Sequence, residues 1–218
     1  MRTHTKETQK SLTPRQALQI LVDGNKRFVS NLRYNRNLLQ QVNETSADQF
    51  PFAIILSCID SRTSAELIFD QGLGDVFSVR IAGNVLNDDI LGSMEFACQV
   101  AGSKLVVVLG HSSCGAIKGA CAHVEMGHLT GLLEKIQPSV DRIQSRLGEN
   151  ASKELLYEDV AIDNVLHQMA DVEERSSILR HLLRDGKIGI AGGMYSVETG
   201  EVRIVKERFF DTPPAAVG

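Results

Sequence analysis

No stretch of this chain approaches the roughly 20 consecutive apolar residues that a helix needs to cross a bilayer, so no membrane-spanning helix is expected. The first residues, Met1 to Pro14, are polar. They lack the apolar core of a secretory signal and the Arg/Ser-rich amphipathic character of an organelle transit peptide, so a cytoplasmic location is expected. No basic run is present either. Lys and Arg number 23 against 27 Asp and Glu, a net charge of −4, which speaks against nucleic acid as a partner. Cysteine is scarce, with four in 218 residues. That is too few for a disulfide scaffold, and their positions have to be read for metal or thiol chemistry. Internal repeats are missing, and the only biased tract is the Pro-Pro-Ala-Ala near the C-terminus. What the chain does have is 43% hydrophobic and 23% charged residues, a balance that forms a packed core and excludes disorder as the default. Its length suits one domain, read as residues 14–218 behind a flexible arm of residues 1–13.

Helix signals begin at Thr13-Pro14, an N-cap followed by proline at the first helical position. Ala17, Leu18, Leu21, Val22 and Phe28 then recur at helical spacing as far as Asn31. Polar sequence from Asn31 to Gln49 reads as a long connection closed by Pro51. Phe52 to Leu56 and Leu105 to Leu109 are short unbroken apolar runs, the pattern of strands buried on both faces. Val76 to Ile81 is a further strand. Helices are predicted over Ala65–Phe69, Asp88–Ala101, Cys114–Val124 and Leu132–Leu147, and a long one, kinked or straight, over Glu154–Arg184. Lys187–Tyr195 and Val202–Val205 form a hairpin around Glu198-Thr199-Gly200. The alternation gives an α/β fold: a mainly parallel central sheet with one antiparallel C-terminal hairpin strand, flanked by helices and preceded by an N-terminal helical arm.

In such sheets, ligands bind beyond the carboxyl ends of the strands. There the sequence places Ser57-Cys58-Ile59-Asp60-Ser61-Arg62 after one buried run and Gly110-His111-Ser112-Ser113-Cys114-Gly115 after the other. If the two strands are neighbours, Cys58, His111 and Cys114 can share one metal. Three N/S ligands with an open fourth position is the pattern of catalytic zinc. Cys98 and Cys121 read as core or helix-face residues, and the other histidines have no comparable partners in sequence. Competing motifs fail. Ala116 stands where a phosphate-binding loop needs Lys, no Arg follows Cys114 as in a thiol phosphatase, and neither a G-x-S-x-G elbow nor a C-x-x-C pair exists.

Cys58-Ile59-Asp60-Ser61-Arg62 together with His111-Ser112-Ser113-Cys114-Gly115 resembles the β-class carbonic anhydrases, whose paired signatures are C-x-D-S-R and H-x-x-C-G. The likeness continues through Phe77–Asn84, Gly92–Ala97 and Tyr195–Gly200, and so spans Leu12 to Val205. The resemblance implies one Zn²⁺ per chain on Cys58, His111 and Cys114, and zinc-dependent reversible hydration of CO₂ to bicarbonate and a proton. Asp60 and Arg62 would form the family's catalytic dyad beside the metal. Gln49, Phe77, Ala82 and Gly115 would bind or line the substrate pocket. In the family the equivalents of Gln49 and Phe77 reach into the partner subunit's site. A homodimer or a dimer of dimers, with sites at the dimer interface, is therefore implied. Phe96 departs from the pattern, because many members carry Tyr there.

Zinc lowers the pKa of a water that it binds and so supplies a nucleophile near neutral pH. Asp60 would orient that nucleophile, and Arg62 would hold Asp60 ionised through a bidentate contact. Two other readings remain open. One is a noncatalytic zinc protein in which Asp60 is the fourth ligand; the other is a hydrolase of CS₂ or COS on the same fold. The resemblance also bears on regulation. In one kind of β-class enzyme the Asp leaves its Arg for the metal at lower pH, stabilised by bicarbonate in a pocket that includes a Trp three residues before the first Cys ligand. That position is Ile55 here, and the chain contains no Trp. The expectation is an open site, with Asp60 a metal ligand only if the site closes.

Overall fold

A computed structural model describes residues 3–148 and 152–210. Residues 1–2 of the expected arm and residues 211–218 at the end of the expected domain lie outside them. Five strands form one sheet: β1 (Ala53–Ser57), β2 (Val76–Arg80), β3 (Leu105–His111), β4 (Gly189–Tyr195) and β5 (Val202–Arg208). Their order is β2-β1-β3-β4-β5. The first four are parallel, and β5 returns antiparallel to β4. This is the α/β arrangement expected from the sequence. The central strands β1, β3 and β4 are buried along their whole length. With both faces covered, they have no need of polar alternation. The edge strands β2 and β5 are only partly covered.

Because successive side chains leave a strand on opposite faces, one strand feeds two cores. Ile54, Leu56, Val106 and Val108 pack into a core with α5 (Asp88–Glu95), α6 (Gly115–Cys121), α7 (Gly127–Leu133), α8 (Gln137–Leu147), α9 (Lys153–Arg175) and α10 (Ser177–Arg184). Ala53, Ile55, Leu105 and Val107 pack on the other face with α2 (Pro14–Val29) and α4 (Ala65–Ile68). At the start of α2, Thr13 accepts from the Gln16 N–H while Gln16 reaches back to the Thr13 N–H, and Pro14 sits in the first turn.

Three expectations are corrected. The arm read as flexible carries helix α1 (Lys6–Ser11), and its buried Gln9 donates from Nε2 to the carbonyls of Pro51 and Ala101, both at 2.8 Å. The polar connection contains α3 (Leu38–Glu44), capped by Asn37, with Gln41 buried and accepting from the Leu73 N–H at 3.2 Å. The long helix over 154–184 is two helices meeting at Ser176. That residue leaves helical geometry (φ −107°, ψ 110°), and its Oγ caps α10 through the Leu179 N–H while donating to Glu95 at 2.6 Å.

Candidate metal centre

β1 and β3 are paired in parallel, with Ser57 opposite Leu109. Cys58 therefore leaves the end of β1 beside His111, the last residue of β3. Ser113 takes a left-handed turn (φ 57°) and brings Cys114 back to the start of α6. The two sulfur atoms stand 4.0 Å apart, and the ligand atoms of Cys58, His111 and Cys114 all lie within 4.8 Å of one another. The three residues are 1–4% exposed.

Do these residues fit a metal? A tetrahedral zinc about 2.3 Å from each sulfur holds the sulfurs about 3.8 Å apart, close to the spacing here. The imidazole supplies the second observation. His111 Nδ1 lies 2.9 Å from the Ser112 carbonyl, which can only accept, so Nδ1 carries the proton and Nε2 carries the lone pair. That Nε2 is buried and has no hydrogen-bond partner among the described residues. A buried acceptor without a partner costs free energy unless something fills it. Ser112 is itself gripped by the β4–β5 corner: its N–H donates to the Tyr195 carbonyl at 2.9 Å, and its Oγ accepts from the Val197 N–H at 3.0 Å. The tautomer of His111 is thus built in by its neighbours. The donor set fits a divalent metal that favours thiolate and imidazole.

The thiols behave as a pair. Hydrogen bonding from Cys114 pushes the Cys58 thiol down to about 4, opposed by burial and helped in lesser degree by the His111 side chain and then by the backbone N–H groups of Asp60 and Gly83. The same shared proton, together with burial, pushes Cys114 up. Cys98 and Cys121 stand apart from this cluster. Burial raises them to about 12 and about 11 respectively, as suits inert core and helix-face thiols.

Asp60 stands outside the cluster and is taken by Arg62. Its Oδ1 accepts from the Arg62 backbone N–H and from Nε, both at 2.9 Å, and its Oδ2 accepts from the guanidinium at 2.8 Å. The Arg62 hydrogen bond holds the Asp60 carboxyl well below the usual carboxylate range, against a smaller opposing effect of burial. Arg80, at the end of β2, donates to the carbonyls of Cys58 (3.0 Å) and Asp60 (2.5 Å) and so clamps the ligand loop from the neighbouring strand. The sequence offered no sign of that backbone role, since it depends on β2 lying next to β1. Gly83 was missed as well: its N–H points at Cys58 Sγ at 3.4 Å. A glycine within Ile81-Ala82-Gly83-Asn84 could have signalled it. At φ +69°, a Cβ there would meet Ile136 at 2.7 Å and Ala116 at 3.2 Å.

A cleft of about 560 Å³ opens beside the cluster, lined among others by His111, Ser113, Cys114, Lys118, Tyr195 and Arg203. Gly115 is exposed in the first turn of α6, where backbone N–H groups have no intrahelical partner. Ala82 is half-buried in the turn after β2. Gln49 is exposed, and neither it nor Phe77 lines that cleft. Phe77 instead faces a separate groove on the β2 edge, with its ring 6.3 Å from that of the half-exposed Phe96.

Comparison with known proteins agrees with this geometry. The family model described as carbonic anhydrase matches residues 53–202. The carbonic anhydrase of Mycolicibacterium smegmatis is 36% identical over 198 residues, covering 88% of this chain and 93% of that protein. Carbonic anhydrase 2 of Mycobacterium tuberculosis is 38% identical over 200 residues, covering 86% and 90%. Among solved structures, the β-carbonic anhydrase CcaA superposes with a TM-score of 0.71 at 26% identity, covering 87% of this chain and 95% of that one. A tetrameric β-carbonic anhydrase of the ascomycete Sordaria macrospora shares the fold, with a TM-score of 0.69 at 20% identity, covering 76% and 89%.

Proposed function

Since this chain belongs to the β-carbonic anhydrase family, we propose that it catalyses the reversible hydration of CO₂ to bicarbonate and a proton, with one zinc per chain on Cys58, His111 and Cys114. The observation that carries this reading is the convergence of two buried sulfurs with an imidazole Nε2 that has no other partner. Zinc, when bound, supplies Lewis acidity and a nucleophile at neutral pH. The rest falls to the chain. Asp60 offers an ionised acceptor in a fixed place, which would accept a hydrogen bond from the attacking oxygen and turn its lone pair toward carbon. Arg62 fixes that acceptor through two parallel side-chain bonds. Gly115 presents a backbone N–H to a substrate oxygen, and Ala82 adds apolar wall.

Gln49 and Phe77 fit this reading in a dimer, each reaching the other subunit's site. Their placement supports it, since within one chain neither lines the cleft. The groove beside Phe77 on the β2 edge mixes apolar and acidic side chains, with Phe96 53% exposed next to Asp88 and Asp89. A second copy seated there would bury that surface and complete both pockets. Among the described residues no helix is long and apolar enough to cross a membrane. Purified protein should hydrate CO₂, hold about one zinc per chain by elemental analysis, and sediment as a dimer or tetramer. Zinc-loaded protein that fails to hydrate CO₂ would overturn the proposal.

The resting site is open in this reading. Ile55, where the switching kind needs an indole, is fully buried in the sheet, and its side chain has no N–H to offer a bicarbonate. A ligand shifts a two-state equilibrium only by its differential affinity for the two states, and without that pocket bicarbonate has little. Asp60 therefore stays with Arg62, and activity should follow a single ionisation with pH. A steep, cooperative fall below about pH 8 would contradict this.

A further inference from the structure

We propose that Asn164 and Gln168, on α9 and outside the ligand group, act as positioning residues that aim the Gly83 N–H at the Cys58 thiolate. The inference rests on the metal reading above and concerns how one of its ligands is tuned. Four hydrogen bonds run in series through the core. The Leu86 N–H donates to Gln168 Oε1 at 2.8 Å, and Gln168 Nε2 donates to Asn164 Oδ1 at 3.1 Å. Asn164 Nδ2 donates to the Gly83 carbonyl at 2.9 Å, and the Gly83 N–H meets Cys58 Sγ at 3.4 Å. Asn164 is 0% and Gln168 2% exposed, among Val160, Val165, Met169 and Val172 of the same helix. Two amides in that setting cost stability relative to an apolar pair unless every bond is made, and a helix that had only to pack would do better with leucine.

What the amides hold is a turn that would otherwise swing. Gly83 (φ +69°) and Asn84 (φ +45°) are consecutive left-handed residues, and glycine is the residue with the widest choice of backbone angles. The peptide joining them is pinned at both ends: its carbonyl by Asn164, and its N–H by the Ile81 carbonyl at 3.0 Å. With that plane fixed and Ile136 close against the α-carbon, the turn is held in the form in which the Gly83 N–H meets the sulfur. An N–H on a thiolate withdraws electron density. Two thiolates donate more charge to a metal than imidazoles do, so the bond tempers the stronger donor type. Outer partners of metal ligands act by this kind of orientation and tuning.

The test uses the full chain loaded with zinc or cobalt(II). Asn164→Ala should weaken zinc about tenfold in competition with a chelator. It should also move the thiolate-to-cobalt charge-transfer band to longer wavelength, because the sulfur lone pair is no longer stabilised. Val172→Ala removes packing from the same helix and should leave the band in place. A band in Asn164→Ala that coincides with wild type overturns the inference. Should that variant fail to fold, Gln168→Met keeps the volume and removes the acceptor for Leu86 and the donor to Asn164 without burying a charge. A smaller shift in the same direction is then expected, and no shift overturns the inference. A wild-type protein without any thiolate-to-cobalt band would sink the metal reading itself, which is a separate result.

Discussion

Cys114→Ser should lose metal and CO₂ hydration together. A serine hydroxyl is not ionised near neutral pH, so the substitution takes away one of two anionic donors and leaves Cys58 and His111. Two protein ligands hold zinc far less well than three. Zinc content should fall from about one per chain to a small fraction, and turnover by more than about 100-fold, since even changes one layer further out cost 10–100-fold. Loss of a thiol in general is separated by Cys121→Ser. That sulfur is half-buried on a helix face, stands outside the cluster, and its removal should leave zinc and activity near wild type. Circular dichroism distinguishes metal loss from unfolding. Full zinc content and normal CO₂ hydration in Cys114→Ser would remove the central claim.

The ligand set was legible because of where the fold puts it. Phe52–Leu56 and Leu105–Leu109 read as buried strands, and parallel sheets place their sites just past such runs. The adjacency of β1 and β3 then turned a separation of 53 positions between Cys58 and His111 into a shared cluster. Elements fastened by polar tertiary bonds were not legible. Helix α1 has no apolar stripe; it is fastened by one glutamine to two carbonyls far along the chain. Helix α3 likewise depends on Gln41, and polar composition hid both. Ser176 divides α9 from α10 without the proline or glycine that usually marks a break, because a serine cap and a bond to Glu95 suffice. The clamp of Arg80 on the ligand loop was hidden for a related reason: it is a side chain bonding to backbone across strands, and no spacing rule encodes it. Gln49 and Phe77 are legible only through resemblance, since a single chain leaves one exposed and the other in a different groove.

Asp60→Asn should keep zinc and lose most of the turnover. The side chain is near the cluster but not in it, so the metal does not depend on it. Its amide can still accept through Oδ1, yet it carries no charge, and its NH₂ would face the Arg62 guanidinium that now meets Oδ2 at 2.8 Å. Donor against donor breaks the parallel pair, and the side chain rotates away from the position in which it can accept a hydrogen bond from the attacking oxygen. Removing one preorganised group of this kind typically costs about 10²–10³ in kcat. The loss should fall on kcat more than on KM, because the contact is made most strongly in the transition state. Arg62→Lys should sit between the two: a lysine keeps the charge but cannot hold both carboxylate oxygens in one plane. If Asp60→Asn sheds its zinc along with its activity, the carboxylate is a ligand after all, and the site is one that braces the fold or rests closed. If it keeps both, the dyad is an ion pair at a strand end with no part in the chemistry. Retained zinc with lost kcat is the one outcome that assigns Asp60 to the reaction.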